Sequence, residues 1–358
     1  MKYIYRSALA FVLTGVMSLS SLVTFAGNPD RAGQAGASEL LINPWPRSSG
    51  WGGAGSGGVR GVEAIFGNVA GIAAVKKTEI AFSHSIWLKG STMGINSLGL
   101  VQKVGEGSVL GLSLMSIDFG DIMVTTTDQP EGGMGTFSPQ FINLGLSYAK
   151  VFSNSIYGGM NLKIISESIS NVSAQGVALD AGIQYTTGTN PERDNLKFGI
   201  TLKNVGTPMK FAGDGLTAKS QQSDLISTLP YEYTVEQRTQ GFEIPSMVNI
   251  GGIYDFHLTA DHRLSVALNF TSNSFTNDQY TGGLEYGFKQ YFMIRGGFTY
   301  EKDLFDDALR TTVFTGPAGG FTLQLPLGKS GKLLALDYSF RATKPFDGTH
   351  TFGVRFVL

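Results

Sequence analysis

The 358-residue chain contains no cysteine, which excludes a disulfide framework, thiol chemistry and the lipid-bearing cysteine of a bacterial lipoprotein. It also has almost no net charge. A formal value of -1 leaves no basic arm or patch to neutralise phosphates, so nucleic acid is not an expected partner. The histidines, His84, His257, His262 and His350, fall in no metal-ligand spacing. No Gly-x-Ser-x-Gly elbow occurs, because the serine of Gly53-Ala54-Gly55-Ser56-Gly57 is preceded two residues earlier by Ala54. The glycine run around it, Ser49 to Gly58, lacks the Lys-Ser or Lys-Thr that would make it a phosphate loop. No catalytic residue, metal site or cofactor is therefore expected. After the N-terminal region no segment approaches the ~18 uninterrupted apolar residues of a transmembrane helix.

What is present begins with a leader. Lys2 and Arg6 precede an apolar run from Ala8 to Val23, and Thr24-Phe25-Ala26 offers a cleavage site of the small-x-small type. Residues 1–26 are expected to be a secretory signal peptide, the run being short of the roughly 20 apolar residues of a membrane anchor.

From residue 78 onward the dominant signal is alternation. Leu264, Val266, Leu268 and Phe270 alternate with Ser265, Ala267, Asn269 and Thr271, and Leu334, Leu336, Tyr338 and Phe340 with Ala335, Asp337, Ser339 and Arg341. Successive strand side chains point to opposite faces, so each such segment has one apolar and one small or polar face. Fourteen segments of this kind run from 78–88 to 347–357, most about ten or eleven residues long, the length a tilted strand needs to cross a bilayer. The connections divide as an even-numbered barrel requires. Those expected on the periplasmic side are tight, among them Gly105-Glu106, Ser153-Asn154, Thr189-Asn190-Pro191, Lys289-Gln290 and Gly328-Lys329, while the long ones, 118–139, 204–243 and 302–317, all fall on the other side. Phe352, Val354, Phe356 and Leu358 continue the alternation to the last residue, as outer-membrane barrels do, although such barrels usually end on an aromatic. A soluble β-sandwich would also alternate, but it would not need so many outward aromatics or so many glycines opposite them. The expected fold is all-β: a 14-stranded antiparallel transmembrane β-barrel, residues 77–358, in the outer membrane and in contact with its lipid.

Residues 27–76 show no strand period. Small, glycine-rich and weakly helical, they suit an N-terminal hatch or plug inside the lumen, with Trp51, Asn68 and Gly71 as its marker residues. Strand charges fall on the inward face: Lys163, Asp180, Lys197, Lys203, Glu285, Arg295, Asp337 and Arg355. Glu285 with Arg295 and Asp337 with Arg355 lie on adjacent strands and are placed to pair. Inward placement is what a lipid face costing roughly 2 to 4 kcal/mol per midplane charge imposes.

The stretch Ser116-Ile117-Asp118-Phe119-Gly120-Asp121 continuing to Thr127, with Pro130-Glu131-Gly132 and Thr136-Phe137 after it, resembles the third strand and following loop of the PorV/PorQ family. Further similarities follow in order: Ala81-Phe82-Ser83-His84 with Trp87-Leu88, Gly145 to Ala149, Gly158-Gly159 with Lys163-Ile164, Gly176 to Gly182, and Asn204 to Met209. That family is similar in fold to the fatty-acid transporter FadL, a fourteen-stranded barrel with an N-terminal hatch. The resemblance implies a component of the type IX secretion system of Bacteroidota, bound to a large outer-membrane translocon and receiving secreted cargo proteins. The chain departs from the family where Asn-Pro-Ala-Gly-Leu-Ala becomes Asn68-Val69-Ala70-Gly71-Ile72-Ala73, which leaves the backbone freer and marks a divergent paralogue.

Two functions follow. The first is a non-enzymatic part of type IX protein secretion that binds partners through its extracellular loops. Tyr231, Tyr233 and Phe242 are candidates on loop chemistry, and Asp118, Phe119, Glu131 and Phe137 lie in the family-like stretch. The alternative is a FadL-like conduit for hydrophobic small molecules, with lipid or detergent bound in a pocket between hatch and wall and uptake that depends on lumen residues near Asn68.

Overall fold

A computed structural model describes residues 27–187, 195–222, 231–289, 291–328 and 331–358. The expected signal peptide lies outside the described residues, as do the turn residues Thr189, Asn190, Pro191, Gln290 and Lys329.

The strands, in chain order, are β1 (Thr78–Ile86), β2 (Gly94–Gly105), β3 (Ser108–Asp118), β4 (Ile122–Met123), β5 (Thr136–Phe137), β6 (Gln140–Val151), β7 (Ile156–Ile169), β8 (Val172–Thr186), β9 (Asn195–Gly206), β10 (Thr217–Gln222), β11 (Tyr231–Glu236), β12 (Met247–His257), β13 (His262–Asn273), β14 (Gln279–Phe288), β15 (Phe292–Glu301), β16 (Phe314–Leu327), β17 (Lys332–Thr343) and β18 (Thr349–Val357). Fourteen of them form one closed antiparallel ring, in which β18 pairs back onto β1 with Ile80 opposite Phe356 and His84 opposite Phe352. Closure leaves no strand edge, the condition a β-structure must meet in hydrocarbon. The remaining four make two small hairpins outside the ring, β4–β5 and β10–β11. The long 207–246 connection thus adds a hairpin, not barrel strands.

The pleat sorts residues as the alternation predicts. Along β3, Val109, Gly111, Ser113, Met115 and Ile117 are buried while Leu110, Leu112 and Leu114 are exposed. The outside is predominantly apolar, with Leu98, Leu146, Ile164, Leu268 and Leu284 among its exposed side chains. That is the inversion of a soluble protein, and it identifies the outer face as the lipid face. Tight turns gather at the end that holds Thr78 and Val357; the long 119–139, 207–246 and 302–313 loops lie at the other. One boundary differs clearly from expectation. β16 begins at Phe314, five residues before the alternation becomes readable at 319, because Gly316, Pro317, Gly319 and Gly320 hide the period and a register shift between Phe314 and Ala318 absorbs it.

The segment before β1 touches every strand of the ring. Its hydrogen bonds and close approaches run from Val62 on Glu79 (β1), through Ile65 at Gly111 (β3), Val69 at Gly159 (β7), Asn68 at Gly182 (β8) and Ser56 at Asn269 (β13), to Gly52 on Thr299 (β15) and Pro46 at Gly353 (β18). The one-turn helix Pro46–Gly50 covers β16 and β17, and the 3-10 turn Val69–Ala74 covers β6. A segment that reaches all sides of a closed ring lies inside it. The interior has two halves. Towards β1–β3 and β6–β8 lies the main apolar cluster, where Val62, Ile65, Phe66, Val69 and Ile72 of the segment pack on Ile95, Met115, Ile117, Phe141 and Ile165 of the wall, beside the buried Lys163–Asp180 pair. Towards β12–β18 the wall presents Asn, Thr, Ser and paired charges.

Candidate functional site

The inward charges hold the interior together. Lys163 Nζ is 2.7 Å from Asp180 Oδ2 and donates to Asn204 Oδ1 at 2.6 Å, while Asp180 Oδ1 accepts the Asn204 N–H at 2.7 Å. This knot occupies the register shift between β8 and β9. Glu285 is bridged by two guanidinium groups, Arg295 Nε at 2.9 Å and Arg263 Nη2 at 2.5 Å. Asp337 accepts from Thr322 and faces Arg355 Nε at 3.5 Å, and Lys197 pairs with Asp255. Lys203 Nζ donates to the Phe66 carbonyl at 2.7 Å, tying wall to segment. Within the segment, Glu63 accepts from Ser48 N at 3.0 Å and Ser48 Oγ at 2.9 Å, with Arg47 Nε at 3.9 Å. Burial and nearby Asp337 raise the Glu63 carboxyl above its ordinary range, against the opposing pull of Arg47 and Arg355. Burial works against the charge on Arg47, but Glu63, Asp337, Glu79 and Glu285 outweigh it and keep its guanidinium firmly protonated. These groups are partnered, which is the arrangement of a structural scaffold.

The hatch markers are equally engaged. Asn68 is fully buried; its Nδ2 donates to the carbonyls of Ser56 (3.1 Å), Ile183 (3.0 Å) and Ile200 (3.4 Å), and its Oδ1 caps the following turn at Ala70 N (3.2 Å). The side chain of Asn68 is therefore held on every side, and it lines neither of the two lumen cavities described below. Nor does the missing proline free the backbone, since Asn68 fixes it. Gly71 sits so close to the Val59 carbonyl that a Cβ would overlap it. Trp51 packs on Ala54, Ile253 and Ala267 in the polar half.

Open space lies towards both ends of the lumen, bordered on one side by that polar half. At the loop end a cavity of about 500 Å³ is bounded by Trp87, Phe119 and Phe314 on one side and Asn249, Thr271 and Gln279 on the other. At the turn end a second, of about 830 Å³, is bounded by Arg60, Lys197, Asp255, His257 and Arg263. Between them runs the glycine-rich stretch Gly52–Gly58, whose Gly52, Gly53, Gly55 and Ser56 floor the first cavity. It is pinned by few bonds: Thr299 Oγ1 to Gly52 O at 3.0 Å, Gln184 Nε2 to Ser56 O at 3.2 Å, Asn68 Nδ2 to the same oxygen, and Ser56 Oγ with Asn269. Wall glycines give it room. A Cβ at Gly297 would overlap the Trp51 carbonyl, and one at Gly199 the Ser56 carbonyl.

The loop residues proposed for partner contact divide. Asp118, Glu131 and Tyr233 are exposed, Asp118 Oδ1 accepting from Gly120 N at 2.9 Å; Phe137 is half-buried opposite Ile122 in the β4–β5 hairpin, and the Tyr231 backbone lies opposite Gln222. Phe119 and Phe242 are, like Phe137, half-buried. Phe119 turns inward to line the outer cavity, and Phe242 lies against Phe211 (5.6 Å between rings) and the apolar core, because burial of a ring inside the barrel mouth outweighs leaving it in water. Asn249 and Thr271 were missed as site residues. Alternation places both inward, but nothing local distinguishes them from the other inward polar residues, and the turn of the 87–93 loop that sets Trp87 against Phe314, 5.7 Å away, leaves no sequence signature.

No family model and no curated protein sequence matches the chain. Its fold does have solved counterparts. The CymD monoaromatic hydrocarbon channel superposes with a TM-score of 0.55 at 12% identity, over 88% of this chain and 97% of that one. The barrel is FadL-like. The toluene transporters TodX of P. putida (0.53, 11% identity, 88% and 96%) and TbuX of Ralstonia pickettii (0.52, 11% identity, 88% and 97%) share the same architecture. At such identities the likeness establishes the fold of this FadL-like chain, not its cargo.

Proposed function

We propose that the chain is an outer-membrane conduit for small molecules with an apolar body, entering from the loop end and leaving towards the periplasm. The observation that carries this is the pair of cavities towards the two ends of the lumen, with a thin glycine-rich loop between them. A continuous apolar core occupies much of the β1–β8 side, so passage there would break it; on the β12–β15 side the Gly52–Gly58 loop floors the outer cavity and is held to the wall by few hydrogen bonds. The solved structures of like fold are described as hydrocarbon channels and toluene transporters, which supports the reading. A role in type IX secretion keeps one supporting observation: the β4–β5 hairpin and its loop expose Ile122, Met123 and Met134 beyond the barrel, a surface suited to a protein partner. Purifying the protein from native outer membranes in mild detergent separates the two. The conduit predicts small amphipathic molecules released on denaturation and no stoichiometric partner; repeated recovery of a large membrane protein without such molecules would favour secretion.

A further inference from the structure

Resting on the conduit reading, the chemistry of the outer cavity also specifies what passes. One face is apolar and aromatic, Trp87 and Phe314 with Ile117 and Phe119 beside them. The opposite face, from β12 to β14, is Asn249, Thr271, Asn273, Gln279 and Thr281. A bare hydrocarbon gains from the first face only; filling the space also strips water from the amides and hydroxyls of the second without replacing those hydrogen bonds. A fully polar solute gains nothing from the aromatic side. Fixed charges favour neither sign, because Lys203 and Arg341 are matched by Glu39 and Glu301.

Most of these polar groups already have partners. Gln279 Nε2 donates to Glu301 Oε2 at 3.0 Å, Lys203 to the Phe66 carbonyl, and the Arg341 guanidinium lies over the Phe314 ring at 3.6 Å. Asn249 is the exception. Its Oδ1 accepts from Thr271 Oγ1 at 2.6 Å, which fixes the amide, but among the described residues its Nδ2 donates only to the Met247 thioether at 3.7 Å, a weak acceptor. An oriented amide donor with spare capacity therefore borders a space whose other side is aromatic.

We propose that the solute of this cavity is a small neutral amphiphile with a hydroxyl or carbonyl group on one edge, its apolar body against Trp87 and Phe314 and its polar edge on Asn249. The turn-end cavity is polar as well, with Lys197, Asp255 and Arg263 in its lining.

The test uses a matched pair, 2-phenylethanol and ethylbenzene, in equilibrium dialysis against the full-length folded protein in amphipol, with amphipol alone subtracted. The alcohol should bind roughly tenfold more tightly at equal free concentration, the ratio one net hydrogen bond supplies. Asn249→Leu should remove that preference by weakening the alcohol and sparing the hydrocarbon. Thr271→Val, close to isosteric, should do the same more weakly by releasing the Asn249 amide, and covers the case in which the leucine variant does not assemble. Ethylbenzene binding as tightly as the alcohol, or a preference unchanged in both variants, overturns the amphiphile and leaves the conduit standing. Binding of neither compound overturns both.

Discussion

Gly297 on β15 offers the sharpest perturbation, because a single methyl group there must move the loop and little else. A Cβ at this inward position would overlap the carbonyl carbon and oxygen of Trp51 and sit 3.0 Å from Gly52 N. These are backbone atoms and cannot rotate away, so the loop must retreat by about 1 Å to restore ordinary contact. Retreat breaks the 3.0 Å bond from Thr299 Oγ1 to Gly52 O, worth about 1 kcal/mol. It also lifts Trp51 from Ala54, Ile253 and Ala267; re-exposing roughly 50 Å² of apolar surface adds about 1 kcal/mol. Gly297→Ala should thus shift the balance towards a displaced loop by about 2 kcal/mol, roughly a thirtyfold change in population. Gly282→Ala is the control, since its Cβ meets only Leu268 Cδ2 at 3.8 Å. Single-channel recording in planar bilayers, on material shown to be folded by heat-modifiable migration, should find frequent open events for Gly297→Ala and a quiet baseline for Gly282→Ala. Indistinguishable traces from the two would refute the reasoning that this contact closes the lumen.

Other expectations are more local. Leu336→Arg, on the lipid face, should cost about 2–4 kcal/mol and reduce the heat-modifiable barrel, whereas Ala267→Arg, beneath Trp51, should assemble yet leak, as read by uptake of a bulky antibiotic. Arg295→Met removes one of the two guanidinium groups on buried Glu285 and should lower urea stability by about 3 kcal/mol, with Glu285→Gln added to it restoring part of the loss. Asp307 is held below the usual aspartate range, first by the hydrogen bond from Lys344. Its folded value being the lower one, the contact that joins the 302–313 loop to Lys344 is present above the ordinary aspartate range and is lost as pH falls through the depressed value. Amide exchange in 302–313, some of whose residues line the cavity, should accelerate only there, and Asp307→Asn should abolish the dependence.

The barrel was readable because a bilayer enforces period-2 alternation residue by residue: Leu110, Leu112 and Leu114 must face lipid, and Gly111 and Ser113 must not. Strand number and the sorting of loops followed from that one constraint. It failed where the constraint lapses, at the glycines and proline around Ala318, whose small or ring-closed side chains carry no face. The interior was legible only as a list of inward residues. Which of them meet depends on a segment of no fixed period threading the lumen, so the holding of Asn68 on every side, the pinning of Gly52–Gly58 and the inward turn of Phe119 are tertiary results. Asn249 illustrates the limit. Its inward position is in the alternation, but the unoccupied donor exists only because Thr271 and Met247 fix its amide.

The central claim is that solutes pass where the Gly52–Gly58 loop meets the β12–β15 wall, and a reversible lock tests it most directly. A Cβ at Gly251 would overlap Ser56 Oγ, so the side-chain positions of 56 and 251 converge closely enough for a disulfide. The chain has no cysteine of its own to compete. In proteoliposomes, Ser56→Cys/Gly251→Cys should admit 2-phenylethanol when reduced and fall to the rate of empty vesicles when oxidised, with recovery on re-reduction. Equal flux in the two redox states, with the cross-link confirmed by mass, would place the path elsewhere and contradict the account.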